Sequence, residues 1–153
     1  MSYIFRLKKA EPLALMAIRT ISSRGALAHT LETSFETVWR RLNQLESVTV
    51  GPAIAVYFAC DDDTLDVAAG FPVKEQLAGD DRLERIELPA ASVATTIHEG
   101  AYSGIPQAHD ALIEWIAGQN LAIAGPAYEV YWVDPSQAKN EGELRTEIVI
   151  PVT

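Results

Sequence analysis

The sequence predicts an α+β fold built from two tandem β-α-β-β units. The first observation behind this prediction is an internal repeat, in which stretches of the first half return in the second half at offsets of 74 to 77 residues. The second is that each half has one stretch with helical periodicity among extended stretches. The 153 residues fit a single domain. We place repeat 1 at about residues 3–73, a connector at 74–82 and repeat 2 at about 83–152.

Each unit is predicted to begin with a strand that is followed by a helix. The strands are EPLALMAIR (Glu11 to Arg19) and LPAASVATT (Leu88 to Thr96), both extended runs directly after a proline. The helices are predicted from apolar residues at steps of three and four, which form one stripe along a helix. These residues are Leu27, Leu31, Phe35, Val38, Leu42 and Leu45 in the first half, and Ile105, Ala108, Leu112, Trp115 and Ile116 in the second. Pro106 falls in the first turn of the second helix, where its missing N–H does no harm.

Each unit is predicted to end with a hairpin. The first hairpin strands are GPAIAVYFACD (Gly51 to Asp61) and GPAYEVYWVDP (Gly125 to Pro135), which share the positions of a glycine, a proline and a tyrosine. The second hairpin strands are LDVAAGFPV (Leu65 to Val73) and LRTEIVIPV (Leu144 to Val152). The stretches between them, CDDDT and DPSQAKNEGE, are polar and rich in turn residues, as hairpin connections are.

Two such units are expected to associate. A three-stranded sheet with one helix leaves apolar surface uncovered, and a second copy can bury that surface in a shared core. We therefore expect pseudo-two-fold symmetry, with antiparallel sheets that form a central groove and two helices that flank it. Because the duplication already supplies a two-fold partner, a monomer is the expected state.

Composition and charge favour a cytoplasmic protein with a cationic partner. The 12 Lys and Arg against 21 Asp and Glu give a net charge of −9, which disfavours attraction to nucleic-acid backbones and anionic membranes. Cys60 is the single cysteine, so no intramolecular disulfide can form, and the first residues lack the apolar core of a secretory signal. No apolar run approaches the roughly 20 residues that span a bilayer. We expect no membrane association and no direct nucleic-acid binding.

The second half contains the stretches that most resemble a known family. These are IHEGAYSGIPQAHDALIEWI, GPAYEVYWVDP and TEIVIPV, which are similar to the turn, helix and closing hairpin of the GyrI-like family, also known as the AraC-type effector-binding domain. The resemblance runs from about residue 3 to residue 152. It implies a small molecule bound in the groove between the repeats, among aromatic side chains, with a glutamate that reaches its positive or reacting centre.

Glu129 matches the glutamate of that family, and it also stands out within its own stretch. An ionised carboxylate among apolar residues is costly unless it faces water or has a partner. Strand alternation places Tyr131 on the same face as Glu129, and Tyr57 holds the matching position in the first repeat. We expect all three to bind ligand; the alternatives are a solvated sheet face for Glu129 and core packing for the tyrosines. If the protein is an enzyme, Glu129 and Tyr131 are the expected catalytic residues.

Three further aromatic residues are candidates for the wall of the groove. Trp39 lies at the edge of the first helical stripe, so helix-to-sheet packing is the alternative. Phe71 follows Gly70, which permits close approach of another backbone or of a ligand but also marks bulges in strands. By the resemblance Tyr102 lies close to the ligand, and the alternative is that it anchors its turn.

No metal and no cofactor are expected from the sequence. His29, His98 and His109 are scattered between elements, without the spacing of a metal site. The run Asp61 to Asp63 lacks the spaced ligands of a calcium loop, so we interpret it as a solvated hairpin tip. Glycine loops for nucleotides and the nucleophile elbow of hydrolases are also missing from the sequence.

Three functions stay open at this point. The first is a stand-alone module that captures a hydrophobic or cationic small molecule such as a drug. The second, which the resemblance implies for some stand-alone members, is hydrolysis of cyclopropane-bearing genotoxins, a form of toxin resistance in which Glu129 activates water. The third is binding to a protein partner, because the family takes its name from an inhibitor of DNA gyrase. Relatives that regulate transcription join this domain to a DNA-binding domain, whereas here the repeat fills the chain.

Overall fold

The chain folds into two compact units, which a computed structural model describes for residues 3–47, 49, 51–74 and 77–153. Unit 1 comprises Met1–Glu11 and Ala90–Thr153, and unit 2 comprises Pro12–Pro89. The described residues form eight strands and two α-helices, which confirms the predicted α+β class. In chain order these elements are β1 (Arg6–Ala10), β2 (Leu13–Ser23), α1 (Leu27–Gln44), β3 (Ile54–Cys60), β4 (Thr64–Pro72), β5 (Glu84–Leu88), β6 (Ala91–Glu99), α2 (Ile105–Gly118), β7 (Ala127–Val133) and β8 (Arg145–Pro151).

Unit 2 contains an antiparallel sheet with α1 packed against it. The strands lie in the order β3-β4-β2-β5, so that β2 is paired along both of its edges. Val38 and Leu42 of the predicted helical stripe are buried, and they pack into one apolar cluster with Met16, Val73 and Leu83. The apolar stripe thus holds α1 on its sheet by removing these side chains from water.

Unit 1 is built in the same way from the antiparallel strands β1-β6-β8-β7 and helix α2. Its apolar cluster joins one face of the helix to alternate residues of β6 and β8. The buried members are Ala94, Ile105, Ala108, Leu112, Ile116, Ile148, Ile150 and Val152. Because Ile148 and Ile150 face α2, Glu147 and Val149 face the other side of the same strand.

Two of the strands were not predicted from the sequence. β1 has the sequence RLKKA and β5 the sequence ERIEL, and both are short strands with several exposed residues. β1 pairs only with β6 among the described strands, and β5 pairs only with β2, so each lies at an edge of its sheet. Charged residues on short edge strands are common, because they discourage pairing with other chains. These charges also hide the alternation by which a strand is recognised in a sequence.

The core elements follow the same order in the two units, while the edge strand comes first in unit 1 (β1) and last in unit 2 (β5). The core strands lie as β2-β4-β3 in unit 2 and as β6-β8-β7 in unit 1, each with a helix after the first strand. The strand register shifts after Tyr57 in β3 and after Tyr131 in β7, which are the tyrosines that the repeat aligns. In the predicted connector, residues 75 and 76 lie outside the described residues. The repeat bounds drawn from the sequence stay a prediction.

A buried carboxylate joins the four strands of unit 1. Glu147 on β8 accepts hydrogen bonds from Lys8 Nζ on β1 (2.7 Å), Thr95 Oγ1 on β6 (2.6 Å) and Trp132 Nε1 on β7 (3.0 Å). Burial raises the pKa of Glu147, but the hydrogen bonds from these three donors outweigh burial and hold the pKa below its ordinary value. Glu147 is therefore an ionised crosslink between strands that are distant in the sequence.

Two buried threonines on this sheet are expected to respond oppositely to loss of the hydroxyl. The hydroxyl oxygen of Thr146 has no hydrogen-bond partner among the described residues, whereas that of Thr95 donates to Glu147. A buried hydroxyl without a partner is destabilising, so Thr146→Val should raise the free energy of unfolding by about 1 kcal/mol. Thr95→Val should lower it by about 1–2 kcal/mol because Glu147 loses a donor.

Urea unfolding of the two variants beside the wild type measures both effects. The substitutions make the same chemical change at buried positions, so each is the control for the other. A Thr146→Val protein that is destabilised as much as Thr95→Val would show that the Thr146 hydroxyl has a stabilising partner.

Candidate functional site

Glu129 is buried in unit 1, with only 4% of its surface exposed, so it does not lie on a solvated sheet face. It occupies the middle of β7, and Tyr131 lies two residues further along the same face of the strand. The hydroxyl of Tyr131 donates a hydrogen bond of 2.5 Å to Oε1 of Glu129. The predicted pairing of these two side chains on one strand face is thus present.

The other carboxylate oxygen of Glu129 is bonded by a residue of the helix. His109 on α2 lies 2.7 Å from it, measured from Nε2 to Oε2. When Glu129 is ionised it can only accept hydrogen bonds, and the N–H of His109 Nε2 is then the donor. The pair connects β7 to α2 and gives the carboxylate the partner that its burial requires.

Tyr102 completes this cluster from the short turn before α2. Its ring centroid is 5.7 Å from that of Tyr131, with the two planes tilted by 60°. Burial, together with the negative charges of Asp134 and Glu129, raises the pKa of Tyr102 to about 12. Tyr102 therefore keeps its proton at neutral pH and offers both a ring face and a neutral hydroxyl. We call Glu129, Tyr131, His109 and Tyr102 the carboxylate cluster.

A cavity of about 460 Å³ lies beside Tyr102 within unit 1. Its walls come from the turn that contains Tyr102 and from the connection between β7 and β8. The lining includes Ser103, Pro135, Asn140 and Leu144. This size falls within the usual range for small-molecule pockets, which is about 300–1,000 Å³.

The candidates in unit 2 form a separate aromatic group. The ring centroids of Trp39 on α1 and Phe71 on β4 are 5.4 Å apart, and Phe35 lies 5.9 Å from Phe71. Trp39 packs on its sheet through this contact, yet 48% of its surface is exposed. Tyr57 on β3 is partly buried. The structure thus brings Glu129, Tyr131 and Tyr102 together in unit 1, and Trp39 with Phe71 in unit 2.

His109 was not predicted as a member of any site. The spacing of the histidines argues against a metal site, but it carries no information about a carboxylate partner for His109. A usable signal was present, because His109 lies four residues after Ile105 and three before Leu112, on the buried stripe of α2. A histidine on such a stripe needs a polar partner, and Glu129 is that partner.

Neither a membrane-spanning helix nor a metal site is found in the part of the chain that the structure describes. Within it, no helix is long and apolar enough to cross a membrane. Among the same residues, no three or more His, Cys, Asp or Glu side chains are grouped so that they could hold a metal ion.

The sequence model of the GyrI-like small-molecule-binding domain matches residues 5–153. This chain therefore belongs to the GyrI-like family, which confirms the resemblance drawn from its motifs. No curated protein matches the sequence.

Several solved structures share the fold of this chain. The C-terminal domain of EcmrR is 19% identical with a TM-score of 0.88, over 100% of this chain and 99% of that one. The EcmrR chain in a structure of EcmrR with DNA also matches, and there the match covers only 57% of the EcmrR chain. SAV2435 bound to tetraphenylphosphonium is 17% identical with a TM-score of 0.63, over 100% of this chain and 94% of that one. A hydrolase from Listeria innocua is 11% identical with a TM-score of 0.63, over 97% and 91% of the two chains. At these identities the likeness shows the fold.

Proposed function

We propose that this protein captures a hydrophobic, cationic small molecule and that Glu129 is the counterion of its positive charge. The observation that carries the proposal is a buried carboxylate bonded by Tyr131, whose ring contacts that of Tyr102. Tyr102 in turn lines a cavity of about 460 Å³. Such an arrangement combines a negative charge, ring faces and an apolar cavity wall in one part of unit 1. These are the features that a lipophilic cation needs.

The electrostatics of the chain support the same ligand class. A unit charge 4 Å from a carboxylate gains about 4 kcal/mol at an effective dielectric constant of 20. The net charge of −9 adds a long-range attraction for cations. The structural neighbour SAV2435 is seen with tetraphenylphosphonium, which is a cation of this kind, and it provides a concrete probe.

The aromatic residues of unit 2 are part of the proposal. We infer that the two units arose by duplication, which is supported by the common order of their core elements and by the matching register shifts at Tyr57 and Tyr131. That Tyr57, Trp39 and Phe71 contribute ring contacts to the same ligand stays a prediction from the sequence. Single substitution of each by alanine, followed by titration with the cation, tests it.

Replacing Glu129 by glutamine is expected to weaken binding of tetraphenylphosphonium at least about tenfold, or about 1.4 kcal/mol. Glutamine keeps the size of the side chain but removes the charge that attracts the cation. Calorimetric titration of both proteins at pH 8 measures the difference. The control is Glu36→Gln, which removes the same charge from an exposed position on α1 and should leave the affinity within about twofold. Equal affinity of wild type and Glu129→Gln would contradict the proposal.

A second candidate is hydrolysis of a cyclopropane-bearing genotoxin by the same cluster. It is favoured by the contact between Tyr131 and Glu129 and by a structural neighbour described as a hydrolase. In this reaction water adds across one ring bond: a C–O bond and a C–H bond form, while one C–C bond of the ring and one O–H bond of the water break. Mass analysis of recovered ligand distinguishes the two candidates. A binding protein returns its ligand unchanged, whereas a hydrolase returns it with one added water at a rate that collapses in Glu129→Gln. Binding to a protein partner stays a prediction from the sequence.

A further inference from the structure

His109 places a titratable side chain directly on the carboxylate that is proposed to attract the ligand. Its Nε2 lies 2.7 Å from Oε2 of Glu129, while Tyr131 bonds Oε1. The position is set by the helix, because Ile105, Ala108 and Leu112 of the same helix are buried in the apolar cluster of unit 1. The histidine is therefore held where any change in its charge acts on Glu129.

We propose that His109 is the residue that determines whether this site accepts a cation, because it sets the net charge of the Glu129 pair. This inference rests on the proposed function. With neutral His109 the pair carries a charge of −1 and attracts a cation. With protonated His109 the pair is neutral, and the ligand must compete with the imidazolium of His109 for the carboxylate of Glu129. Histidine is the side chain whose charge ordinarily changes between pH 5 and 8, so pH 5 and pH 8 are the conditions between which the proposal is tested.

Other ionisable groups lie on α2 and on the elements packed against it, and on α2 itself Asp110 and Glu114 are exposed to solvent. From β7, Glu129 and Tyr131 face the helix and are the partners already named. From the preceding turn comes Tyr102, whose pKa of about 12 keeps it neutral throughout the range, and the charge of Asp134 acts on Tyr102.

The strands β6 and β8 also pack against α2. His98 of β6 is bonded to the carbonyl oxygen of Ala101 and to the hydroxyl of Tyr3. On β8 the carboxylate of Glu147 faces the opposite side of the sheet from Ile148, which packs under the helix. His109 is the histidine that bonds directly to the proposed counterion, at 2.7 Å.

The test uses tetraphenylphosphonium, whose charge does not change with pH. For the wild type we expect its dissociation constant to be at least about tenfold larger at pH 5 than at pH 8. His109→Gln keeps an N–H donor for Glu129 but cannot gain a charge, so its affinity should vary by no more than about twofold over this range. His29→Gln, a change on α1 in the other unit, is the matched control and should keep the dependence of the wild type.

A second measurement needs no variant and so does not depend on how His109→Gln folds. If the cation binds only beside neutral His109, binding near the midpoint of the transition must expel protons from the protein. Calorimetric titrations of the wild type in two buffers of different ionisation enthalpy count these protons. Release of a fraction of a proton per bound cation supports the inference, and zero release at every pH overturns it.

The outcomes also separate this inference from the function on which it rests. Cation binding that is lost in Glu129→Gln, but has the same pH dependence in His109→Gln as in the wild type, overturns the role of His109 alone. Failure of the cation to bind at any pH overturns both. A flat profile in His109→Gln, together with proton release by the wild type, supports both.

Discussion

Replacing Gly70 by alanine is expected to lower the free energy of unfolding by about 3 kcal/mol. Gly70 lies on β4, opposite Ala17 of β2. A Cβ atom at this position would come within 2.0 Å of the carbonyl oxygen of Met16 and 2.6 Å of the Cα of Ala17. These atoms belong to the backbone of the central strand of unit 2, so they cannot move aside as a flexible side chain can. The close approach that Gly70 permits is therefore that of a neighbouring backbone.

The matched control for this prediction is Gly118→Ala at the end of α2. A Cβ there meets no atom within 4 Å. Alanine is also more favourable than glycine in a helix, by up to about 1 kcal/mol. We expect Gly118→Ala to be neutral or slightly stabilising. Urea unfolding of both variants compares them with the wild type. If Gly70→Ala unfolds at the same urea concentration as Gly118→Ala, then β2 and β4 can separate without cost and the close approach is unimportant.

Loss of the carboxylate of Glu147 should lower the free energy of unfolding by about as much as Gly70→Ala. Glu147→Ala removes the acceptor of Lys8, Thr95 and Trp132 and leaves a space among four strands. Breaking a fully buried ion pair costs about 3–5 kcal/mol. Lys8 is half exposed and can turn to water, so we expect the lower end of that range, about 3 kcal/mol. Urea unfolding measures it, and a loss below about 1 kcal/mol would mean that the crosslink adds little to stability.

The lowered pKa of Glu147 also predicts how the stability of the protein changes in acid. The pKa of Glu147 is lowered in the folded protein, so the unfolded chain binds the proton more tightly. The stabilisation is therefore fully present above the ordinary pKa of about 4.5 and is lost as the pH falls through the lower, folded-state pKa. The difference in stability between wild type and Glu147→Gln should shrink in that acid range. Asp61, Asp66 and Asp80 also have lowered pKa values, but both proteins contain them and their contribution cancels.

Most of the fold could be predicted because its core elements follow simple periodic patterns. The stripe from Leu27 to Leu45 matches α1, and the Gly-Pro stretches contain β3 and β7. The edge strands β1 and β5 could not be found in this way. Their pairing with β6 and β2 is decided by contacts between distant parts of the chain, and a run such as RLKKA gives no local sign of it.

The carboxylate cluster could be predicted only in part. Glu129 was recognisable because a charged residue in an apolar strand needs a partner, and the same reasoning applies to Glu147 in the stretch TEIVIPV, where it was not used. The partner itself could not be named, since His109 lies 20 residues away on a helix. Which helical residue meets which strand residue depends on how the helix is rotated on its sheet, and a stripe several residues wide leaves that rotation open.

The pairing of β1 with β6 has a consequence for the order in which the chain folds as it is synthesised. Unit 2 is continuous from Pro12 to Pro89, so all of its strand partners exist once residue 89 has left the ribosome. Unit 1 combines residues 1–11 with residues 90–153. Lys8 can form its bond to Glu147 only after a further 139 residues have been synthesised. Until then β1 is a strand without its neighbour and carries exposed lysines, a composition that discourages it from pairing with the wrong chain. Translation therefore favours completion of unit 2 before unit 1, and β1 is among the last strands to pair.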